Sequence, residues 1–161
     1  MIDSLCIETP FGMVRIRAQD DFVVSVDFVS MSQLAAVTEN KILLQAQQQM
    51  QDYCKRPQTG FDLPLRLKGT PFQQRVWQAL QDIPAGQVMT YGDLATKLKS
   101  SPRAIGGACR ANPAPIIVPC HRVVSRHGMG GYSGDTEGAN MDIKLGLLRH
   151  EGVEMAARGR I

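Results

Sequence analysis

Apolar and polar residues alternate over two short stretches near the start of the chain. Every second position is apolar over residues 14–18 and again over 24–28, which predicts two half-buried strands. Gln19–Asp21 supplies turn residues between them, so we expect an antiparallel hairpin, which residues 5–7 could extend. Over residues 39–56 the apolar positions recur at helical spacing, which predicts one amphipathic helix packed on this sheet.

The second part of the chain shows helix starts rather than strands. Thr70–Gln73 has the composition of a capping box, and the helix that it opens should end near Asp82. The same capping pattern recurs over residues 90–93, before a short helix. Ser101–Pro102 then opens another helix, which ends before Pro113 because proline disfavours helical geometry at the residue before it. Two short helices joined by a three-residue turn are a helix-turn-helix candidate.

These patterns divide the chain into two parts. Residues 57–68 combine turn residues with an alternating pattern and read as an extended connector. We therefore expect an α/β domain over residues 1–68, connector included, and a mainly helical domain over residues 69–161.

The composition excludes a disordered, fibrous or membrane protein. The chain has 161 residues, of which 43% are hydrophobic and 20% charged, as in an ordinary globular protein. Its four cysteines form no C-x-x-C pair, which favours a reduced, intracellular chain. The first residues lack the pattern of a signal peptide, and no stretch is apolar enough for a membrane span. We expect a cytoplasmic protein that does not bind membranes.

The distribution of charge indicates a polyanionic partner. Residues 1–68 hold 7 basic and 8 acidic side chains, net −1, whereas residues 69–161 hold 11 and 7, net +4. No acid lies between Asp93 and Asp135, a stretch that contains six lysines and arginines. An acid-free basic stretch is typical of nucleic-acid binding, although a solvated charged face is the plainer interpretation.

The second helix of the candidate motif presents a face that is nearly bare of side chains. Glycine in a helix interior costs about 1 kcal/mol relative to alanine, so something must require the pair Gly106–Gly107. One explanation is close helix packing within the domain. The other is close approach to DNA, since only a bare helix face can press into a widened minor groove. The face comprises Ala104, Gly107, Ala108 and Ala111, flanked by Arg103 and Arg110.

Cys120 is the residue most suited to chemistry. Prolines 113, 115 and 119 should hold the segment before it extended and deliver the thiol rigidly. A thiol needs a base or a cation to become a nucleophile, and His121 and Arg122 follow directly. Adjacent residues of an extended chain point to opposite sides, so contact with His121 requires a bend or a bridging water. An inert buried thiol remains the alternative, and the spacing to Cys109, His121 and His127 does not match a compact zinc motif.

Eight motifs follow one another around Cys120 and on both sides of it. They are Thr70-Pro71-Phe72-Gln73, Ile83-Pro84-Ala85-Gly86-Gln87-Val88, Tyr91-Gly92-Asp93-Leu94-Ala95, Arg103-Ala104-Ile105-Gly106-Gly107, Arg110-Ala111-Asn112-Pro113, Pro119-Cys120-His121-Arg122-Val123, Gly131-Tyr132-Ser133-Gly134 and Leu147-Leu148-Arg149-His150-Glu151-Gly152. In this order they resemble the O6-alkylguanine-DNA alkyltransferases, and the motif with Cys120 resembles the active-site signature of that family. The similarity covers residues 70–152, while the first 60 residues fit only loosely.

The resemblance implies irreversible, single-turnover repair of DNA. Cys120 would take the alkyl group from O6 of a flipped guanine, or from O4 of thymine, and keep it. His121 would act as base through a water, and Glu151, otherwise a plain surface acid, would orient the imidazole. Tyr91 would donate a hydrogen bond to the guanine as charge develops on it, which is transition-state stabilisation.

The resemblance also implies contacts to the substrate and to DNA. Tyr132 and Ser133 would line the substrate loop, with the Ser133 N–H directed at O6. The carbonyls of Cys120 and Val123 would accept from the exocyclic amine, and Asn112 would brace the turn before the cysteine. Arg103 would fill the gap left by the flipped base. The DNA-binding residues would be Arg103, Ala104, Gly107, Ala108 and Arg110.

The implied fold is a ribonuclease H-like α/β domain followed by a mainly α, winged-helix-like domain with a helix-turn-helix. The implied partner is double-stranded DNA containing O6-alkylguanine, bound through the minor groove by a monomer, with cooperative binding left open. We expect neither cofactor nor metal, because the zinc ligands of some relatives are missing here. The competing hypotheses are a non-enzymatic alkyltransferase-like protein, against which Cys120 argues, a helix-turn-helix regulator, and a thiol hydrolase that uses His127 or His150.

Overall fold

The computed structural model describes residues 2–30, 38–125 and 139–153. The chain groups into two compact units. Unit 1 comprises Met1–Lys68 together with Pro113–Ile117, and unit 2 comprises Gly69–Asn112 together with Val118–Ile161.

Unit 1 is built on a three-stranded antiparallel sheet. Strands β1 (Ile2–Thr9), β2 (Gly12–Gln19) and β3 (Phe22–Val29) lie in the order β1-β2-β3. Ile16 on the central strand lies opposite Leu5 and Val26, and all three side chains are buried. The predicted hairpin is confirmed, and β1 extends it over a full eight residues.

One helix covers the sheet of unit 1. Helix α1 (Lys41–Lys55) starts where the Asn40 side chain accepts hydrogen bonds from two backbone N–H groups of the first turn. Its buried residues recur at helical spacing, and α1 contacts all three strands. The connector begins with a 3₁₀ turn at Pro57–Thr59 and then runs extended beside Val23, which exchanges backbone hydrogen bonds with Pro64 and Arg66.

Unit 2 contains four helices among the described residues. They are α2 (Pro71–Gln81), α3 (Tyr91–Leu98), α4 (Pro102–Arg110) and α5 (Ala139–His150). A short parallel pair, β4 (Met89–Thr90) and β5 (Val123–Val124), joins the start of α3 to the segment after Cys120.

The predicted helix-turn-helix is present as α3 and α4. Helix α3 ends at Lys99, whose left-handed backbone (φ 56°) turns the chain, and Ser101 caps α4 by accepting from the Ala104 N–H. Behind the motif, Nε1 of the buried Trp77 on α2 donates to the Ala108 carbonyl at 2.9 Å. Helix α4 is therefore fixed to the rest of unit 2 by a buried hydrogen bond as well as by packing.

The segment before Cys120 differs from the extended form predicted from its prolines. Ile116 has a φ of +74°, so the chain turns sharply there. The backbone of Pro113 accepts a hydrogen bond from Val26 at 2.9 Å, which places this stretch in unit 1. Proline restricts its own φ and the residue before it, and positions 116 and 117 fall outside both effects.

No helix within the described ranges has the length and apolar character needed to cross a membrane.

Candidate active site

The nucleophile candidate lies on a bend. Cys120–Arg122 form one turn of 3₁₀ helix, closed by a hydrogen bond from the Val123 N–H to the Cys120 carbonyl. The extended geometry expected for Cys120 and His121 is therefore wrong, because both residues lie in this turn. Cys120 is 7% exposed and His121 is fully buried.

Glu151, which lies 30 residues further along the chain, contacts this turn. It follows α5 directly, is 2% exposed, and places Oε2 at 2.7 Å from Nε2 of His121. Arg122 holds the same carboxylate from the other side, with Nε to Oε1 at 2.8 Å and Nη2 to Oε2 at 2.9 Å. The tertiary fold thus brings together residues 30 positions apart, and Glu151 is not a surface acid.

The hydrogen bonds define the tautomer of His121. Burial raises the pKa of Glu151, but hydrogen bonds from His121 and Arg122 outweigh this and hold its pKa well below the ordinary range. An ionised carboxylate only accepts, so Nε2 carries the ring proton and Nδ1 has the free lone pair. Burial, opposed by Glu151, lowers the pKa of His121. Nδ1 is buried with no hydrogen-bond partner among the described residues, which leaves a base available in the site.

The surroundings of Cys120 favour the neutral thiol over the thiolate. Burial raises the pKa of Cys120, while a hydrogen bond from the Asn112 side chain and the charge of Lys144 oppose that shift. Asn112 also donates from Nδ2 to the Val118 carbonyl at 2.8 Å, so it holds the turn before the cysteine. A thiol in this state needs a general base to become a nucleophile.

Lys144 is a buried cation that sequence reasoning missed. It lies on α5 with no exposed surface, and Nζ donates to the Val123 carbonyl at 2.9 Å. Burial lowers its pKa to about 8. The sequence did contain a signal for this burial. Lys144 lies at helical spacing from Met141, Leu147 and Leu148, so a lysine occupies a core position in an otherwise apolar stripe.

Tyr91 begins α3 and is half-buried. Burial raises its pKa, and the nearby thiols Cys109 and Cys120 raise it further, so its hydroxyl stays a donor. Burial also raises the pKa of Cys109, to about 12, with a further contribution from Cys120. Tyr91, Cys109 and Cys120 therefore lie within electrostatic reach of one another.

The glycines of α4 serve no packing purpose inside the described part of the protein. A Cβ built at Gly106 or Gly107 meets no atom within 4 Å, which excludes close internal packing as their explanation. Ala108, expected on the bare face, is 3% exposed and points inward. The exposed face is formed instead by Arg103, Gly107, Arg110 and Ala111, with Ala104 at its edge.

The surface charge is smaller than the sequence count implies. Arg122 lies in the basic stretch but is buried against Glu151, so its charge does not face solvent. The exposed cations of the helix-turn-helix are Lys97, Lys99, Arg103 and Arg110.

Several predicted residues lie outside the described ranges. These are Tyr132 and Ser133 of the expected substrate loop, and His127. Within the described residues, no group of three or more His, Cys, Asp or Glu side chains is arranged to hold a metal ion.

Unit 2 thus combines a buried thiol and an imidazole oriented by a carboxylate with the helix-turn-helix of α3 and α4. Residues 71–153 match the family model "6-O-methylguanine DNA methyltransferase, DNA binding domain". The chain therefore belongs to the O6-methylguanine-DNA methyltransferase family, as the sequence motifs predicted.

Full-length relatives support the same assignment. The constitutive methylated-DNA–protein-cysteine methyltransferase of Bacillus subtilis (strain 168) is 40% identical over 155 residues, covering 89% of this chain and 92% of the relative. A Metallosphaera sedula methylated-DNA–protein-cysteine methyltransferase is 34% identical over 145 residues, covering 89% of each.

Solved structures extend the similarity to the fold. The crystal structure of Mycobacterium tuberculosis O6-methylguanine methyltransferase matches with a TM-score of 0.81 at 30% identity, covering 98% of this chain and 96% of that one. A crystal structure of the M. tuberculosis protein OGT in complex with DNA matches with a TM-score of 0.78 at 32% identity, covering 92% of each. The mixed α/β fold is therefore that of the family.

Proposed function

We propose that this chain repairs DNA directly, by moving the alkyl group of O6-alkylguanine onto Sγ of Cys120 in one irreversible step. The observation that carries the proposal is the buried series Cys120, His121 and Glu151, in which Glu151 fixes the proton on Nε2 and leaves Nδ1 as a free base. Family membership supports the reaction class, and the buried bond between His121 and Glu151 supports the choice of residues.

Atoms and charge are conserved in a reaction that uses Cys120, His121 and one water. The thiol proton passes through one water to Nδ1 of His121, and Sγ attacks the alkyl carbon. The carbon–O6 bond breaks, its electrons remain on the guanine, and a C–S bond forms. The dealkylated guanine stays in the DNA strand and takes up one proton, which balances the proton that the thiol lost. Because the thioether has no route back, each chain acts once.

Further residues would stabilise the departing base. Tyr91, held as a donor by its raised pKa, would hydrogen-bond to the ring as negative charge develops. The carbonyls of Cys120 and Val123 each accept one hydrogen bond already, from the Val123 N–H and from Lys144. A carbonyl has a second lone pair, so both could still receive the exocyclic amine. Tyr132 and Ser133 complete the proposed substrate contacts.

DNA would meet the exposed face of α4. The partner is double-stranded DNA with a damaged base, bound by a monomer through its minor groove, where the Gly106–Gly107 surface permits close approach. Arg103 would occupy the space of the flipped nucleotide, and Arg110 would contact phosphate. O4-alkylthymine is proposed as a second substrate.

The finer description of the fold is also a proposal. Unit 1 has the three-stranded sheet and helix of a small ribonuclease H-like domain, and unit 2 has the helix-turn-helix of a winged-helix-like domain. The corresponding boundary is 1–68 and 69–161, with Pro113–Ile117 returning to unit 1. None of the four cysteines, all of them described, forms a disulfide, which fits a cytoplasmic protein.

Intact-mass measurement tests the reaction. The protein is incubated with a duplex containing one O6-methylguanine, and we expect a mass increase of one methylene unit per chain, located on Cys120 by peptide mapping. Unmodified protein, or turnover beyond one equivalent, would contradict the proposal, and the latter would favour a thiol hydrolase.

Two cysteine variants locate the acceptor. Cys120→Ala should bind the duplex without being alkylated, whereas Cys109→Ala, which removes the neighbouring buried thiol, should still be alkylated. Transfer to Cys120→Ala would move the nucleophile elsewhere.

A further inference from the structure

The Arg122 side chain donates three hydrogen bonds beside the candidate site. Its guanidinium donates from Nε and Nη2 to both oxygens of Glu151, at 2.8 and 2.9 Å, and from Nη1 to the Ile83 carbonyl at 2.6 Å. The side chain is 9% exposed, and Glu151 is completely covered. Arg122 thus joins the active-site turn, the end of α5 and the turn after α2.

His121 and Arg122 share the Glu151 carboxylate. Oε2 of Glu151 accepts from both His121 Nε2 and Arg122 Nη2, and Oε1 accepts from Arg122 Nε. A carboxylate that faced only an imidazole would stabilise imidazolium and withdraw the base from use. With a bidentate guanidinium beside it, the carboxylate still orients the ring, but its charge is offset by a permanent cation.

We propose that Arg122 is a positioning residue for alkyl transfer: it fixes Glu151 as an acceptor for His121 Nε2 and offsets its charge, so that His121 remains a neutral imidazole with Nδ1 free. This inference rests on the proposed function and goes beyond it by assigning a role to Arg122, whose side chain bonds to Glu151 and Ile83.

The charged groups around His121 agree with this role. Burial has the largest effect and lowers the pKa of His121; Glu151 opposes it, while Arg122 from the same turn and Lys144 from α5 lower the pKa further. Helix α2 packs on the turn too, but its one titratable side chain, Arg75, is exposed and donates to the Leu98 carbonyl. Removing Arg122 would therefore leave Glu151 paired with His121 and favour the protonated ring.

The ring nitrogens report the protonation of His121 without requiring activity. In the full-length wild-type chain, ¹⁵N chemical shifts should show the Nε2–H tautomer persisting below the pH at which an ordinary histidine titrates. In Arg122→Met the pH at which His121 titrates should rise by about one unit or more. The acid limb of the pH profile of the single-turnover rate should shift by the same amount. Arg75→Met, the same change at an exposed arginine of the same unit, should alter neither.

A second variant separates positioning from stability. Arg122→Met/Glu151→Gln removes both charges, and the titration of His121 should return to low pH although the double variant loses more native contacts. A purely structural role predicts a lower melting temperature with no change in the titration of His121, and that result would overturn the proposal.

Should Arg122→Met fail to fold, Arg122→Lys tests the same idea. Lysine keeps the charge but lacks the bidentate geometry, so the His121 titration should stay near that of the wild type while the transfer rate falls by about tenfold. An unchanged rate would overturn the proposal. Failure of wild-type transfer would instead remove the proposed function, and the ring titration would still report on Arg122.

Discussion

Nζ of Lys144 donates a hydrogen bond to the Val123 carbonyl at 2.9 Å, and both residues are fully buried. Because Val123 follows the turn that carries Cys120, this bond ties α5 to the active-site segment by a charged group in the protein interior. Such a group is expensive to bury, and its protonation should be visible in the stability of the protein.

The first prediction concerns stability at alkaline pH. Burial lowers the pKa of Lys144 from 10.5 to about 8, so between these values the unfolded chain binds a proton that the folded chain has lost. Stability attributable to Lys144 is therefore gained as pH rises through this window and is lost as pH falls through 8.

Lys144→Met should remove that dependence. The difference in free energy of unfolding between wild type and variant should grow in favour of the wild type by about 1 kcal/mol per pH unit above pH 8. Urea denaturation at pH 7, 8, 9 and 10 measures it. A constant difference would show that Lys144 titrates normally.

The second prediction is that replacing glycine by alanine changes the stability of the protein in opposite directions at two positions of unit 2. A Cβ at Gly69 would overlap the Trp77 ring, so Gly69→Ala should destabilise the protein by about 1–3 kcal/mol. Gly106→Ala meets nothing within 4 Å on a helix and should stabilise it by up to about 1 kcal/mol.

Thermal or urea unfolding followed by circular dichroism compares the two variants. Trp77 is the single tryptophan of the chain, so its fluorescence also reports whether the ring has moved in Gly69→Ala. Equal effects at both positions would contradict the packing described for Gly69.

The third prediction is that one substitution at Gly107 raises the stability of the protein but weakens its binding to DNA. Gly107→Ala adds a methyl group to the exposed face of α4, which should raise stability as at Gly106 but weaken duplex binding by about tenfold, or 1.4 kcal/mol. Fluorescence anisotropy with a labelled duplex measures the affinity. Gln51→Ala, an exposed position on α1, is the control and should leave binding unchanged. Undiminished affinity in Gly107→Ala would place the DNA on another surface.

The fourth prediction separates base flipping from chemistry. Arg103 is exposed at the start of α4 and contacts no group of the active site in the described bonds. Arg103→Ala should therefore slow transfer from an O6-methylguanine duplex by tenfold or more, since flipping a base costs a few kcal/mol that the side chain would help to offset. Reaction with the free base O6-methylguanine should be unchanged. Equal losses with both substrates would assign Arg103 to the chemistry or to folding.

Much of the fold followed from local sequence. The hairpin of β2 and β3, α1 and the three capped helices α2, α3 and α4 were predictable because strand alternation, helical spacing and capping residues act over a few positions. Helix α5 was not predicted, because Lys144 interrupts its apolar stripe and the start of the helix has no strong capping pattern. The turn at Ile116 was missed because no local residue type requires it.

By itself the sequence singled out the candidate thiol, its neighbouring imidazole and most of the bare face of α4, because these features are residue types at fixed local spacing. Only the tertiary structure decided that Glu151 and Arg122 share one buried ion pair, that Lys144 lies beneath Val123, and that Ala108 faces inward. Burial and long-range contact set the charge state of each group, and neither can be read from a linear chain whose interacting residues lie about 30 positions apart.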